Sequence, residues 1–359
     1  MRTRAVVVSI LLAAACAGDA DAAEWPRIVG QGSDWVRSMS EPQWPNVGAQ
    51  MADRVAADVE RRHPSPFAFE VGSRYWYSTG TVKYGFTNNA WPFGSPTSTL
   101  DWNNVQGHSG ELFARIDHRP TGLFVKGMAG AGILRGGEFV DRDYFIYQIK
   151  FSDTTSQVDG DTLKYATFDV GMSYELPRYG IRLGGFVGYH YWNEKMSAYG
   201  GVCNGTDVVW VGVTCQPAGS QLVPSDTLVL VYQPTWHAFR VGVDGRFRID
   251  QRWSMSGEIA LVPIAWIDNK DSHVLRQSSA DFGPAPNVIS NGYGYGGMAE
   301  VFVNYAITPN IEAGVGARYW GINAYKGSVN NGPDFNQNMQ LDFFNQNRYG
   351  VLVQLKGRF

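Results

Sequence analysis

The chain has 359 residues, of which 18% are charged and 14% are aromatic, and it contains 42 glycines. The charged fraction is below the roughly 25% that is usual for soluble domains. Abundant glycine and aromatic residues are typical of many strands flanked by aromatic girdles. The formal net charge of −3 points to no polyanionic partner, so we expect no binding of nucleic acid.

The first 23 residues predict a cleaved secretory signal peptide. Arg2 and Arg4 supply the positive start, Ala5–Ala15 form an apolar run, and small residues follow up to Ala23. The run is too short to span a bilayer as a helix. Cys16 leaves a lipoprotein signal as an alternative, although the Leu usual three residues before such a Cys is absent.

Residues 24–66 differ from the rest of the chain, and we assign them to an N-terminal extension. A helical stripe of apolar residues recurs every four positions between Val47 and Arg62, after Pro45 and Asn46. If the remainder is a membrane barrel, this segment packs in the barrel mouth, lies on the inner leaflet face, or forms a mobile periplasmic extension.

From Phe67 onward the sequence predicts antiparallel strands joined alternately by short and long connections. Apolar and polar residues alternate, as in 311–319, with the period of two that a strand requires. Four short turns are predicted at 118–122, 177–180, 250–252 and 308–310, and five long loops near 78–97, 135–160, 199–224, 269–290 and 326–345. The count predicts an all-β fold, a ten-stranded transmembrane β-barrel spanning 67–359 with long extracellular loops.

The last strand supports the same fold. Val351, Val353 and Leu355 alternate with polar residues, and the chain ends in Phe359. An alternating strand with a terminal aromatic resembles the signal that the barrel-assembly machinery of the bacterial outer membrane reads. A sandwich edge strand is the alternative, and the recurrence of the pattern along the chain argues against it.

Two cysteines remain after signal cleavage, and both lie in the third long segment. Cys203 and Cys215 would be exported to an oxidising compartment, so we predict a disulfide. A ring of this size would stabilise the loop by roughly 3 kcal/mol in the chain-entropy model. A metal site is the weaker interpretation, because no His is near in sequence; we predict no metal ion.

Two polar groups could carry chemistry. Asp141 and Asp143 are two residues apart, so both side chains point to one face of an extended chain. Asn269, Asp271 and His273 have the same spacing. An acid beside a His stabilises the charged ring and makes it a better general base, and paired carboxylates can share a proton. Such parts suffice for water-mediated peptide hydrolysis, but either motif alone is common by chance.

The order of these groups resembles the omptins, outer-membrane endopeptidases built on a ten-stranded barrel. The resemblance runs from Phe67 to Phe359. It rests on the segments Ser98–Trp102, Arg135–Gly137, Val140–Asp143, Gly188–Gly201, Asp271–His273 and Tyr305–Asn310.

The resemblance implies that Asp271 and His273 activate a water from one wall and that Asp141 and Asp143 complete the site from the other. Omptins that cut next to basic residues carry an acid two positions before the catalytic Asp. Here Asn269 holds that position and Asp268 is adjacent; we assign both to substrate binding. A second specificity acid is not evident near Ser78–Lys83.

The lipopolysaccharide positions of the family are also altered here. Tyr189 is kept, but Tyr191 and Asn193 replace an acid and an Arg. We therefore expect no cofactor, with lipopolysaccharide dependence left open.

The expected function is an aspartic-type endopeptidase in the outer membrane of a Gram-negative bacterium, with its active site facing the exterior and polypeptides as substrates. Expected partners are outer-membrane lipid and, through Phe359, the assembly machinery. Two alternatives stay open. One is a non-proteolytic adhesin or structural barrel on the same scaffold. The other is a passive pore, disfavoured because ten strands enclose a narrow lumen.

Overall fold

A computed structural model of the chain describes residues 65–89, 91–208, 215–278, 282–331 and 335–359. The predicted signal peptide, nearly all of the extension 24–66 and the helical stripe between Val47 and Arg62 lie outside these residues. Within them, no helix is both long and apolar enough to cross a membrane.

Strands dominate the described part of the chain. Two single turns of 3₁₀ helix, at Ile146–Gln148 and Pro177–Tyr179, interrupt them. The strands are β1 (Phe67–Asn88), β2 (Phe93–His118), β3 (Leu123–Arg135), β4 (Glu138–Phe145), β5 (Ile149–Val158), β6 (Asp161–Leu176), β7 (Ile181–Cys203), β8 (Gln221–Arg248), β9 (Trp253–His273), β10 (Val288–Thr308), β11 (Ile311–Asn331) and β12 (Phe335–Arg358).

The strands form one closed antiparallel ring. Neighbours in sequence pair around it, and β1 closes the ring by pairing with both β2 and β12. Residues 93–103 of β2 pair with β4 and residues 106–118 pair with β3. In the same way, β7 pairs with both β5 and β6. β3 and β4 therefore form one strand of the barrel wall, and β5 and β6 form another. Counted in this way, the wall has the ten strands that the sequence predicts. Closure leaves no unpaired edge to face lipid.

The break between β3 and β4 lies at a double glycine. Gly136 and Gly137 have φ values of 61° and 99°, a region that side chains other than glycine rarely adopt. A Cβ atom on Gly137 would lie 2.6 Å from the carbonyl oxygen of Asn103. β2 pairs with β4 in the same register as with β3, so the glycines let the strand bend and continue upward.

The two ends of the barrel differ in their connections. The four predicted short turns are confirmed at one end, between β2 and β3, β6 and β7, β8 and β9, and β10 and β11. Three of the five predicted long loops are wrong in extent, because most of residues 78–97, 135–160 and 326–345 are paired strand. The other two agree with the structure, in which β7 ends at Cys203 and β8 begins at Gln221, and β9 ends at His273 and β10 begins at Val288. Strands of 21–28 residues, such as β8 and β9, exceed the 9–11 that cross a bilayer. They therefore run on past it at the loop end.

The outer surface has an apolar band between two aromatic girdles. Exposed aromatic residues at the turn end include Phe67, Phe69, Trp253 and Phe359, and those at the loop end include Tyr75, Tyr77, Tyr189 and Trp266. Between them lie exposed aliphatic residues such as Val187, Val243, Leu261 and Val353. This arrangement is typical of outer-membrane barrels.

Side chains fill the lumen. In the half nearer the turns they form buried ion pairs, such as Arg318 with Glu111 at 2.7 Å and Arg240 with Asp169 at 3.0 Å, around a cavity of about 100 Å³. Above these pairs, an aromatic layer crosses the barrel. Its members are Trp76, Tyr165, Trp192 and Trp320, which are almost fully buried with ring centroids 4.7–5.7 Å apart. The narrow, filled lumen that disfavours a pore is therefore present in the described residues.

Candidate active site

The four candidate catalytic residues lie at the loop end of the barrel, on two walls that are nearly opposite in the ring. Asp141 and Asp143 are on β4, where they pair in register with Leu100 and Ser98 of β2. Asp271 and His273 end β9, beyond the girdle residue Trp266. Alternation along each strand turns the side chains of both pairs toward the lumen.

On the β9 wall, an acid and an imidazole lie side by side. Oδ1 of Asp271 is 3.6 Å from Nδ1 of His273; the Asp271 side chain is fully buried, whereas that of His273 is 20% exposed. Asn287 fixes the backbone of His273, because its Oδ1 accepts the His273 N–H at 2.9 Å and its Nδ2 donates to the His273 carbonyl. The ring of Phe282 packs edge-on against the imidazole at 4.9 Å.

On the β4 wall, two carboxyls share one environment. Burial raises the pKa of Asp141 well above its usual range, and the nearby charges of Asp143 and Asp271 raise it further. Burial also raises the pKa of Asp143, against hydrogen bonds from Ser98 and Ser152 and the charge of Arg276. Like charges held together favour retention of one proton. The effect of Asp271 on Asp141 means that the two walls interact electrostatically across the mouth.

The ionised form of Asp271 is stabilised by fewer groups than that of Asp143. Burial raises its pKa well above the usual range, and a hydrogen bond from the backbone of Ser272 acts in the opposite direction. A buried carboxylate of this kind gains most from a positive charge close by. The imidazole of His273 is placed to supply that charge when it takes up a proton.

Below the four residues lies an aromatic floor, which we define as Tyr84, Trp102, Tyr232 and Phe344. Trp102 stacks on Tyr232 at 5.4 Å, and Tyr232 stacks on Phe344 at 6.2 Å. The hydroxyl of Tyr84 reaches across the lumen from β1 to that of Ser290 on β10, at 2.7 Å. The floor separates the mouth from the rest of the lumen and keeps the local dielectric low.

The two residues assigned to substrate binding are not equivalent in the structure. Asn269 faces the lumen and is fully buried, on the same face of β9 as Asp271 and His273. Asp268 is half-buried on the opposite, outward face of the strand. The alternation of β9 therefore keeps Asp268 out of the mouth, and we remove it from the candidate site.

The predicted disulfide between Cys203 and Cys215 is present, with Cα atoms 5.3 Å apart. It lies against β5, the strand that pairs with β4, since Sγ of Cys215 is 3.0 Å from the carbonyl oxygen of Asp153. The buried carboxylate of Asp153 accepts hydrogen bonds from Asn204 at 2.7 Å and Lys150 at 2.6 Å.

The same carboxylate connects the disulfide to the Asp pair. Asp153 is 3.7 Å from Arg142, which also pairs with Asp101 at 2.9 Å. Arg142 separates Asp141 from Asp143 in the chain. We call Arg142, Asp153, Asn204 and the disulfide the brace of the β4 wall.

Sequence reasoning missed the supporting residues. Ser98 belongs to the segment that carries the family resemblance, but its hydrogen bonds to Asp141 and Asp143 depend on the register of β2 against β4. Asn287 and Arg276 lie on the connection after β9 and have no signal in the sequence. In the part of the chain that the structure describes, no three His, Cys, Asp or Glu side chains are grouped to hold a metal ion.

A comparison with family models decides the relationship. The model of the omptin family matches residues 96–351, which is more than half of the chain and contains all four candidate residues. The chain belongs to the omptin family. No curated protein matches it.

A search of solved structures gives the same fold. The outer membrane protease OmpT from Escherichia coli is similar with a TM-score of 0.64 and 16% identity, covering 82% of this chain and 98% of that one. Ail of Yersinia pestis (TM-score 0.24, 8% identity, 81% of this chain and 99% of that one) and a Pseudomonas aeruginosa FadL homologue (0.25, 9%, 82% and 90%) are too dissimilar to support an argument. This omptin is therefore an outer-membrane barrel on a protease-type scaffold.

Three residues that the family resemblance linked to lipopolysaccharide, Tyr189, Tyr191 and Asn193, are on β7 near the loop-end girdle. The hydroxyl of Tyr189 is 2.5 Å from Nδ1 of His237, and the ring of Tyr191 lies 5.6 Å from the same imidazole. Asn193 is buried and bonded to Thr235 at 2.8 Å. Tyr189, Tyr191 and His237 thus form an aromatic and histidine surface at this girdle.

Proposed function

We propose that this protein is an outer-membrane endopeptidase that hydrolyses peptide bonds through an activated water, without a covalent intermediate. The observation that carries the proposal is the meeting of Asp141 and Asp143 with Asp271 and His273 across one mouth, above a buried aromatic floor. A polypeptide lying in the groove between the walls would present its scissile carbonyl to both pairs.

The β9 pair supplies the base. The imidazole of His273 takes a proton from water, the resulting hydroxide attacks the scissile carbonyl carbon, and the imidazolium returns the proton to the leaving amine. Asp271 keeps the ring oriented and stabilises its charged form. This stabilisation is large where water is excluded, and Asp271 is fully buried.

The β4 pair holds the water. Two carboxyls with raised pKa values retain one proton between them at a pH where isolated carboxyls would both be ionised. The ionised member accepts a hydrogen bond from the attacking water. The protonated member donates one to the substrate carbonyl oxygen as negative charge develops there.

We also propose that the mouth faces the cell exterior. Short turns on the periplasmic side and longer connections outside are the rule for bacterial barrels, and the candidate site is at the end opposite the turns. Partners would then be extracellular polypeptides, outer-membrane lipid including lipopolysaccharide, and the assembly machinery acting on the strand that ends in Phe359.

The test is cleavage of a peptide library by the refolded protein in lipid. Asp271→Asn and His273→Ala should abolish cleavage, because each removes part of the base. Asp268→Asn is the matched control: it changes a neighbouring acid on the outward face of the same strand and should cut like the wild type. Equal cleavage by all four proteins, or by none, would reject the proposal.

A non-proteolytic surface barrel is the second candidate, favoured by the uncharged Asn269 and the altered girdle at Tyr191 and Asn193. Binding of cells or envelope components that Asp271→Asn and His273→Ala leave unchanged, together with an inert library assay, would support it.

A further inference from the structure

Several polar atoms at the base of the candidate site lack a hydrogen-bonding partner. Nδ2 and Oδ1 of Asn269 are both buried, and neither makes a hydrogen bond within the described residues. The hydroxyl of Tyr232 and Nε1 of Trp102 are in the same condition. Each such group destabilises the folded state when nothing satisfies it. Several of them together therefore indicate a place where a ligand supplies the missing bonds.

The surroundings of Asn269 carry no charge on either neighbouring strand. Its register partners are Pro234 on β8 and Ser290 on β10, and the aromatic floor lies beside them. Asn269 precedes Asp271 by two residues on the same face, about 7 Å along an extended strand. A substrate side chain next to the scissile bond is long enough to reach Asn269 while Asp271 and His273 act on that bond.

We infer that Asn269 forms the pocket for the substrate side chain next to the scissile bond, and that this pocket prefers a primary amide, Asn or Gln. This inference rests on the proposed function. A primary amide offers one acceptor and two donors, so it can pair with both Asn269 atoms in two reciprocal hydrogen bonds. A Lys or Arg side chain has no acceptor for Nδ2, and an aliphatic one leaves both atoms unpaired.

Entry to the pocket requires a side chain to move, because Asn269 is fully buried. The Tyr84–Ser290 hydrogen bond crosses the lumen at the register partner of Asn269. An entering amide would displace the Tyr84 ring and exchange one neutral hydrogen bond for two. Tyr84→Phe lacks that bond, so it should lower KM for amide-containing peptides about threefold.

The experiment uses the full-length refolded protein in lipid and one peptide sequence with Asn, Gln, Asp, Glu, Lys, Arg, Leu or Met at the position before the scissile bond. We expect kcat/KM for Asn or Gln to exceed that for Leu or Lys by about 10²-fold, because a site built for hydrogen bonds rejects side chains that lack them. Faster cleavage of the Lys, Arg or Leu peptides would overturn the inference while leaving the endopeptidase in place. Cleavage of none of them would reject both.

Two variants of Asn269 sharpen the test. Asn269→Asp removes the donor and adds a charge, so preference should move from Gln to Lys by about tenfold or more. Asn269→Leu should remove the amide preference while Leu peptides are still cut. Asn310→Asp, in the turn between β10 and β11, makes the same chemical change far from the mouth and should leave the profile unaltered. Unchanged selectivity in Asn269→Asp would overturn the inference.

Discussion

The two walls of the mouth hold their acids in different ways. On β4, Asp141 and Asp143 receive hydrogen bonds from Ser98 and Ser152, and the brace connects their strand to the disulfide. On β9, Asp271 is buried beside a single imidazole. The β4 wall is built to keep carboxyls in place, whereas the β9 wall carries an acid whose charge is poorly satisfied. The second arrangement is suited to drive proton uptake by a neighbour, which is why we assign the base to β9.

The largest expected effect tests the β9 wall. Asp271→Asn should lower kcat by about 10³–10⁴-fold, since the amide cannot stabilise an imidazolium, as for the orienting acid of hydrolytic triads. The measurement is steady-state cleavage of the best library peptide in lipid. A loss of kcat below tenfold would contradict the assignment of the general base to the β9 wall.

The same substitution should have the opposite effect on stability. The raised pKa of Asp271 means that above about pH 4, the unfolded value, the folded state holds more protons, so stability falls as pH rises toward the folded pKa. Asp271→Asn should therefore raise the free energy of unfolding at neutral pH by about 1 kcal/mol, measured by urea unfolding in lipid. The gain should disappear below about pH 4, where both forms are neutral.

Next in size is the Asp pair. The charge of Asp143 raises the pKa of Asp141, so Asp143→Asn should move the acid limb of the residual kcat/KM profile to lower pH by about one unit. Ser98→Ala removes a hydrogen bond that lowers both pKa values and should move the limb in the opposite direction. Shifts of the same sign in the two variants would contradict a shared-proton pair. Thr99→Ala, whose side chain alternates to the other face of β2, is the control.

The smallest effect is expected for the brace. Replacing both Cys203 and Cys215 by Ser should lower kcat about threefold and increase proteolysis of the 203–215 connection, because loss of the cross-link frees roughly 3 kcal/mol of loop entropy in the chain-entropy model. Asn204→Ala, which removes the hydrogen bond to Asp153, should lower kcat less. An unchanged kcat with faster proteolysis would limit the disulfide to a role in loop stability.

Much of this molecule is predictable from sequence because strand alternation and turn chemistry are local. The four turns, the ten strands of the wall and the disulfide follow from them, and the family resemblance supplied the four candidate residues. Strand alternation along β9 also predicts that Asp268 and Asp271 point to opposite faces, which would have excluded Asp268 from the candidate site. The extent of the loops predicted at 78–97, 135–160 and 326–345 was wrong because paired strands at the loop end keep alternating beyond the bilayer.

Contacts across the lumen could not be predicted. Ser98 meets the Asp pair only in one register of β2 against β4, and Tyr84 reaches Ser290 only after the ring closes. The side-chain amide of Asn269 lacks hydrogen-bonding partners because of the residues that surround it in the fold, and the sequence does not show which residues those are.

The filled lumen has a consequence for traffic through the molecule. Buried ion pairs such as Arg318 with Glu111, and the layer around Trp76 and Trp320, make the mouth a cup with a closed base in the described residues. A polypeptide cannot thread through the barrel, so it must enter and leave on the same side. Segments that reach the cup would be loops or extended stretches draped across its rim, and both fragments would depart into the space from which the substrate came.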